Sequence, residues 1–197
     1  GTNSDLEYLS FIQQLLLKPF LTIPIEDFNG KNGDDFLEKI AIRLLNEPEL
    51  ECISIWSPSY LISLLDFIYS NRNKLKSNIN RKCFELIESK NWQSIWPNIK
   101  FLSCWNNGAS EFMAMQLQKI FPTCHLQGKG LLATEAPISI PLHITKGCVP
   151  LWNEIYFEYI DEIGHLKPLT EIPINHEAEI VISTKGGLLR YQIGDRI

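Results

Sequence analysis

The sequence lacks long apolar runs, a secretory leader and an excess of positive charge. No apolar stretch approaches the ~20 residues that a membrane-spanning helix needs, and no segment has the charged, apolar and small-residue order of a signal peptide. The net charge is −5, and no basic stripe interleaved with aromatic residues is present. The composition therefore predicts a soluble protein with neither a membrane nor a nucleic acid as partner.

Cysteine and histidine spacings that bind metals are also missing. The five cysteines are never spaced as C-x-x-C, and their odd number disfavours a disulfide framework. They are Cys52, Cys83, Cys104, Cys124 and Cys148. The four histidines show no H-x-x-x-H or H-E-x-x-H spacing, so no histidine metal site is predicted. We expect buried thiols and a cytoplasmic location.

The pattern of apolar residues changes along the chain. Residues 1–122 show mainly helical spacing, with short buried strands predicted at 51–57 and 99–105. Residues 123–197 contain short β-prone runs separated by turn residues. These runs are HLQGKGLLATEA, PISIPLHI, WNEIYFEYI, HEAEIVIST and GLLRYQI. The prediction is an α/β fold, with helices around a short mixed sheet followed by an antiparallel β-rich part.

The stretch GKGLLATEAPISIP places Ala133, Thr134 and Glu135 after a predicted strand. A hydroxyl beside a carboxylate suits an anionic ligand with its cation. Thr134 would donate to a phosphate oxygen, and Glu135 would hold Mg²⁺. Solvated turn residues explain the same pattern, and spacing alone does not decide between the two.

The stretch GGLLRYQIGDRI ends on a second candidate. The glycines at 186–187 permit a tight turn, and Gly194 lets the backbone approach a ligand closely before Asp195. The Asp195 carboxylate can accept both hydrogens of a vicinal diol such as a ribose. The alternative is an aspartate-stabilised turn in which Arg190 or Arg196 is the ion-pair partner.

A third candidate lies in ISIWSPSYLISLLDF, where serine and proline predict a helix start. Trp56 and Tyr60 flank this start and would form the apolar wall of a pocket for an organic acid. Helix N–H groups near Ser57 would meet its carboxylate. Ordinary core packing is the alternative explanation for these aromatic side chains.

Taken in order, these motifs resemble the auxin-responsive Gretchen Hagen family of acyl-acid amido synthetases, a branch of the adenylate-forming superfamily. The resemblance covers most of the chain after Cys52 and is best from Trp96 to Ile197. It rests on WPNIKFLSCWNNGAS, GKGLLATEAPISIPL, IYFEYI and HEAEIVISTKGGLLRYQIGDRI. The last stretch follows the family's order of a strand, a glycine pair and Leu-x-Arg-Tyr-x-x-Gly-Asp, and the chain would be the central portion of an adenylate-forming N-terminal domain.

The resemblance implies roles for individual residues. Thr134 and Glu135 match the motif that contacts the α-phosphate of ATP and Mg²⁺, and Asp195 matches the aspartate that binds the ribose hydroxyls. The segment around Trp56, Ser57 and Tyr60 falls where the family builds its acyl-acid pocket. The implied nucleotide-binding residues are Gly108, Ala109, Ala133, Thr134, Glu135 and Asp195.

Two residue differences and two missing segments qualify the resemblance. Leu131 and Leu132 stand where the wider superfamily has an aromatic residue that stacks on adenine, and Gln192 stands where many relatives have arginine. The Ser/Thr/Gly-rich phosphate loop is missing, as is a C-terminal domain after Asp195. The expectation is an internal part of a longer enzyme, inactive alone.

The implied function is that of a ligase that uses ATP and Mg²⁺. It would activate a small carboxylic acid as an acyl-adenylate and transfer the acyl group to an amine, such as an amino acid. Two alternatives stay open at this point. One is a non-catalytic module that binds a nucleotide, an acid or another protein, and the other is a ligase of the acyl-CoA type that passes the acyl group to a thiol.

Overall fold

The computed structural model describes residues 10–17, 33–142 and 147–196. The chain forms two compact units, the first ending at Gln127 and the second beginning at Gly128. The boundary predicted between residues 122 and 123 lies a few residues earlier, because His125–Gln127 is a strand of the first unit.

The first unit is built on a short parallel sheet. Its strands are β1 (Cys52–Ser54), β2 (Phe101–Ser103) and β3 (His125–Gln127), in that spatial order. Ser54 lies beside Ser103, and Ser103 lies beside Gln127, so the three strands end level with one another. The sheet is parallel throughout rather than mixed, because each connection passes through helices before the next strand begins.

Helices supply the remainder of the first unit. They are α1 (Phe11–Leu17), α2 (Gly33–Leu45), α3 (Pro58–Ser70), α4 (Arg72–Leu75), α5 (Arg81–Glu88), α6 (Trp92–Ile95) and α7 (Glu111–Ile120). The predicted start of α3 is confirmed, with Ser57 in extended conformation before the first helical residue, Pro58. The very short α4 and α6 were not predicted, since four residues carry too little helical periodicity.

Trp96 lies at the centre of the first unit's core. It is fully buried, and its indole N–H donates to the Leu44 carbonyl oxygen over 2.8 Å, which satisfies its one polar atom. The Phe121 ring packs beside it with centroids 6.2 Å apart. Around them lie the buried faces of the helices, including Leu61 and Leu65 of α3.

The thiols divide into two groups. Cys83, Cys104 and Cys124 are buried as predicted, and the expectation is wrong for Cys52 and Cys148, which are exposed. Burial raises the pKa of the Cys83 thiol to about 11, so it stays protonated at neutral pH. Across the described parts of the chain, no helix is both long and apolar enough to span a membrane.

The second unit is antiparallel, as predicted. It contains β4 (Ser139–Leu142), β5 (Gly147–Pro150), β6 (Ile155–Ile160), β7 (Leu166–Pro168), β8 (Glu179–Thr184) and β9 (Tyr191–Arg196). β4 pairs with β5, and the other four strands form a sheet in the order β7-β6-β8-β9. β5 was not predicted, because its Gly147 and Pro150 indicate turns when only sequence is considered.

One face of the four-stranded sheet carries the second unit's core. Phe157 and Tyr159 of β6 lie opposite Ile182 and Ile180 of β8, and all four are buried. Because successive residues of a strand point to opposite faces, Glu158 lies on the other face. Glu158 is nevertheless only 5% exposed.

Candidate functional site

Thr134 and Glu135 lie at the tip of a reverse turn in the segment that precedes β4. The Ala133 N–H donates to the Ala136 carbonyl oxygen over 3.1 Å, and Leu132 pairs with Pro137 in an isolated bridge. Both residues were predicted to follow a strand, with turn residues as the alternative interpretation. The strand before them, β3, ends at Gln127, and the turn agrees with the alternative. Ala133 and Ala136 pack against the core, whereas Thr134 is exposed.

Gly130 explains why the segment does not continue as a strand. Its φ is +74°, and a Cβ at this position would lie 2.3 Å from the Ser139 carbonyl oxygen. Only glycine permits both this left-handed conformation and this close approach. The Leu131 N–H then donates to the Ser139 hydroxyl over 2.9 Å, so the turn is fixed against the start of β4.

The Glu135 carboxylate contacts the second predicted motif directly. The Tyr191 hydroxyl donates to Oε1 of Glu135 over 3.1 Å, although the two residues are 56 positions apart. This hydrogen bond, the negative charge of Glu135 and burial together raise the pKa of Tyr191 above its usual value. The tyrosine is therefore protonated at neutral pH and able to donate.

Arg190, directly before Tyr191, is held by three hydrogen bonds to two residues. Its guanidinium donates from Nε and Nη2 to the two carboxylate oxygens of Glu158, over 3.2 and 3.1 Å. Its backbone N–H donates to the Ser183 hydroxyl over 3.0 Å, and its φ is +47°. A non-glycine residue in this region carries strain that surrounding contacts must offset.

The structure describes only the backbone of the proposed ribose-binding residue. Asp195 lies in β9 after Gly194, whose φ of +87° is left-handed. The side chain of Asp195 lies outside the described residues, so its ribose contact stays a prediction. Of the suggested turn partners, Arg190 contacts Glu158, and Arg196 donates to the Glu177 carbonyl oxygen over 3.3 Å.

The donor chemistry around Glu135 fits a magnesium ion bound together with a nucleotide. Mg²⁺ prefers oxygen ligands and is commonly held by one or two carboxylates together with substrate phosphates. The Tyr191 hydroxyl donates to Oε1 of Glu135, and within the described residues no hydrogen bond to Oε2 is present, so Oε2 can accept a cation. In the described parts of the chain, no three His, Cys, Asp or Glu side chains form a metal cage, so the phosphates would supply further ligands.

In the first unit, an aromatic pair follows the ends of two neighbouring strands. Trp56 comes after β1 and Trp105 after β2, with the ring centroids 5.6 Å apart. The Trp105 N–H donates to the Trp56 carbonyl oxygen over 2.9 Å, which extends the pairing beyond the strands. Both side chains are at least 40% exposed, so core packing does not account for them.

The partner Trp105 was missed by sequence reasoning, although a signal exists. The runs Ile53-Ser-Ile-Trp and Leu102-Ser-Cys-Trp share an apolar-Ser-apolar-Trp pattern. Since β1 and β2 are parallel and in register, equal spacing brings the two tryptophans side by side. Comparing the two strand ends would have predicted the pair.

The other predicted residues of the first unit follow β1 and β2 as well. Ser57 and Tyr60 lie at the start of α3, where Tyr60 is 39% exposed and burial raises its pKa. The Ser57 hydroxyl lies 2.6 Å from that of Ser59. Gly108 and Ala109 are exposed in a 3₁₀ turn after β2, and Gly108 has a φ of +52°.

The sequence is similar to one family of known proteins. Residues 148–197 match the model of the GH3 family central domain. The Probable indole-3-acetic acid-amido synthetase GH3.1 of Arabidopsis thaliana is 29% identical over 182 residues, which is 81% of this chain. The chain therefore resembles the GH3 family, with the family model matching its C-terminal quarter. It spans 28% of the length of that Arabidopsis relative.

Solved structures of GH3 proteins share the fold. The AtGH3.15 acyl acid amido synthetase in complex with 2,4-DB superposes with a TM-score of 0.67 at 18% identity, covering 82% of this chain and 36% of that one. The structure of GH3.15 acyl acid amido synthetase gives a TM-score of 0.69 at 17% identity, covering 85% and 38%. The predicted resemblance to this family and the predicted α/β fold class are confirmed.

Proposed function

We propose that the protein containing this chain activates a carboxylic acid as an acyl-adenylate and transfers the acyl group to the amine of an amino acid. One observation carries the proposal. The two polar motifs expected to hold a nucleotide meet in the second unit through the bond between Tyr191 and Glu135. GH3 relatives that are named as amido synthetases support an acid and an amine as substrates.

The reaction has two steps. A carboxylate oxygen of the acid attacks the α-phosphorus of ATP, and pyrophosphate leaves with the electrons of the broken P–O bond. The amine then attacks the acyl carbon, loses a proton and expels AMP, which keeps the oxygen that came from the acid. Both steps depend mainly on positioning and on neutralising phosphate charge.

Each motif has a place in this scheme. The Thr134 hydroxyl would donate to an α-phosphate oxygen, and Glu135 would hold Mg²⁺, which neutralises phosphate charge when bound. Asp195 would bind the ribose hydroxyls. For Gly108, Ala109 and Ala133, the proposed nucleotide contact rests on the family resemblance alone.

Acid selection is assigned to the first unit. The exposed rings of Trp56 and Tyr60 would form the apolar wall, and the structure adds Trp105 to them. The N–H groups at the start of α3, after Ser57, would meet the carboxylate. This arrangement favours an acid with an apolar or aromatic body.

The decisive experiment traces the carboxylate oxygen atoms of the acid into the products. The whole protein is incubated with ATP, an amine and an acid whose carboxylate carries ¹⁸O, and the products are analysed by mass spectrometry. Adenylation predicts one ¹⁸O in AMP. Label in inorganic phosphate, or an amide formed without labelled AMP, would contradict it.

Parallel reactions separate the possible acceptors and test the chain alone. An amino acid and a thiol are offered to the same protein, and we expect faster AMP release with the amine. Faster release with the thiol would favour the acyl-CoA type of ligase, and no release with either would favour a non-catalytic binding module. We expect no turnover by the isolated chain, because it spans only 28% of the length of its Arabidopsis relative.

A further inference from the structure

The second unit contains a connected series of polar contacts, and the sequence motifs assign this series no role. It runs from Glu158 through Arg190 and Tyr191 to Glu135. The Glu158 side chain is 6% exposed, whereas that of Arg190 is 68% exposed. A buried carboxylate that accepts two hydrogen bonds from a planar guanidinium fixes the direction of that side chain.

Arg190 and Tyr191, the two central residues of this series of contacts, reach opposite sides of the sheet. Tyr191 pairs with Ile182 of β8, a core residue, so its ring lies on the core side with the turn that carries Glu135. Arg190 reaches Glu158 on the other side. Because Arg190 directly precedes Tyr191, fixing the backbone and side chain of Arg190 limits the directions that the Tyr191 side chain can take at the start of β9.

We propose that the Arg190–Glu158 pair fixes the start of β9 so that the Tyr191 hydroxyl holds Oε1 of Glu135 and orients its carboxylate for a divalent cation. Tyr191, Arg190 and Glu158 are then positioning residues. The inference rests on the proposed function, in which Glu135 binds Mg²⁺.

The left-handed backbone at Arg190 supports this role. A φ of +47° at a non-glycine residue persists only when nearby contacts enforce it. Arg190 donates three hydrogen bonds, two to the Glu158 carboxylate and one to the Ser183 hydroxyl. The conformation is held immediately before the residue that contacts Glu135.

The test measures metal binding rather than turnover. Mn²⁺ is titrated into the whole protein with saturating ATP, and protein-bound Mn²⁺ is followed by electron paramagnetic resonance. Tyr191→Phe keeps the ring and removes the hydroxyl, so we expect about tenfold weaker Mn²⁺ binding, as for other residues that orient a metal ligand. Affinity for metal-free ATP should stay unchanged.

Two further variants control the result. Tyr156→Phe removes a hydroxyl from an exposed tyrosine of β6 and should bind Mn²⁺ like the wild type. Arg190→Lys keeps the charge but loses the bidentate geometry, and it should weaken Mn²⁺ binding in the same direction as Tyr191→Phe. Thermal melts establish that each variant is folded before titration.

The outcomes separate the two proposals. Unchanged Mn²⁺ affinity in folded Tyr191→Phe, with loss of Mn²⁺ in Glu135→Gln, would overturn the positioning role and leave the proposed function standing. Unchanged affinity in Glu135→Gln would instead remove the metal role of Glu135, and the proposed function would fail with it. Equal loss in Tyr156→Phe and Tyr191→Phe would also overturn the positioning role.

Discussion

The two units hold their candidate residues in different ways. In the first unit, Trp56 and Trp105 are placed by backbone pairing after parallel strands, and their rings are largely exposed. In the second unit, Glu135 is placed by a side-chain hydrogen bond from Tyr191, beside a buried ion pair. The first arrangement tolerates changes of side chain, whereas the second depends on individual polar atoms.

Under the proposed function, this difference would separate selection of the acid from the adenylation chemistry. An exposed apolar wall changes gradually when one ring is replaced, because its energy is proportional to buried area. A polar network loses function when one partner is removed, since the remaining group is left without its hydrogen bond. Substitutions in the first unit should therefore alter which acid is used, and substitutions in the second should alter whether adenylation occurs.

The largest stability effect is expected from Trp96, in the core of the first unit. Trp96→Ala removes a fully buried ring and its indole hydrogen bond, and should lower the free energy of unfolding by about 4 kcal/mol. Trp105→Ala removes a ring that is 40% exposed and should cost much less. Urea denaturation measures both, and equal costs would break the distinction between core and surface rings.

The next effect concerns backbone conformation in the second unit. Gly130→Ala should cost about 3 kcal/mol, because it combines a left-handed φ with a clash against the Ser139 carbonyl oxygen. Gly187→Ala is the matched control, since its φ is +105° but an added Cβ would meet no described atom within 4 Å. It should cost about 1 kcal/mol. Equal destabilisation in thermal melts would remove the special role of Gly130.

A smaller effect is expected at the ion pair between the buried Glu158 and the largely exposed Arg190. Arg190→Ala leaves the Glu158 carboxylate buried without its partner and should cost about 2 kcal/mol, less than a fully buried pair because Arg190 is largely exposed. Replacing both residues by methionine should recover most of that stability without restoring Mn²⁺ affinity. Recovery of both properties would show that the pair has only a structural role.

The smallest effect lies in the turn between β6 and β7. The His165 N–H donates to the Asp161 carboxylate over 2.8 Å, and Lys167 lies 3.1 Å from it. The backbone hydrogen bond from His165 is the main cause that lowers the pKa of Asp161, and the Lys167 ammonium contributes further. Asp161→Asn should slightly lower the melting temperature at neutral pH.

The sign of the pH dependence follows from the lowered pKa. Asp161 stabilises the folded state above its ordinary pKa, and this contribution is lost as the pH falls through the lowered folded value. The melting temperatures of wild type and Asp161→Asn should therefore converge in acid. A difference that grows in acid would contradict the assignment.

Local patterns predicted some features of the molecule, and longer-range contacts determined others. The start of α3 and the strands β1 and β2 follow from a cap, a proline and short apolar runs, which act over a few residues. A turn at Glu135 was one of two interpretations, and its position against β4 was not predicted because it depends on how closely Gly130 approaches Ser139. Such an approach leaves no trace in local periodicity.

The candidate site shows the same division. Thr134, Glu135 and Asp195 were found as motifs. The contacts that surround these motifs were not predicted, because the Glu158–Arg190 pair joins residues 32 positions apart. One signal was available, since a glutamate within the apolar run IYFEYI indicates a buried charge that needs a partner.

ATP–pyrophosphate exchange by the whole protein tests the central claim most directly, that the two motifs of the second unit form one adenylate site. Labelled pyrophosphate enters ATP only if adenylation is reversible on the enzyme. We predict that Glu135→Ala and Asp195→Ala each reduce the exchange rate at least about 100-fold, the effect expected when charge stabilisation or alignment is lost, while Tyr156→Phe leaves it unchanged. Near-wild-type exchange in both alanine variants would contradict the account.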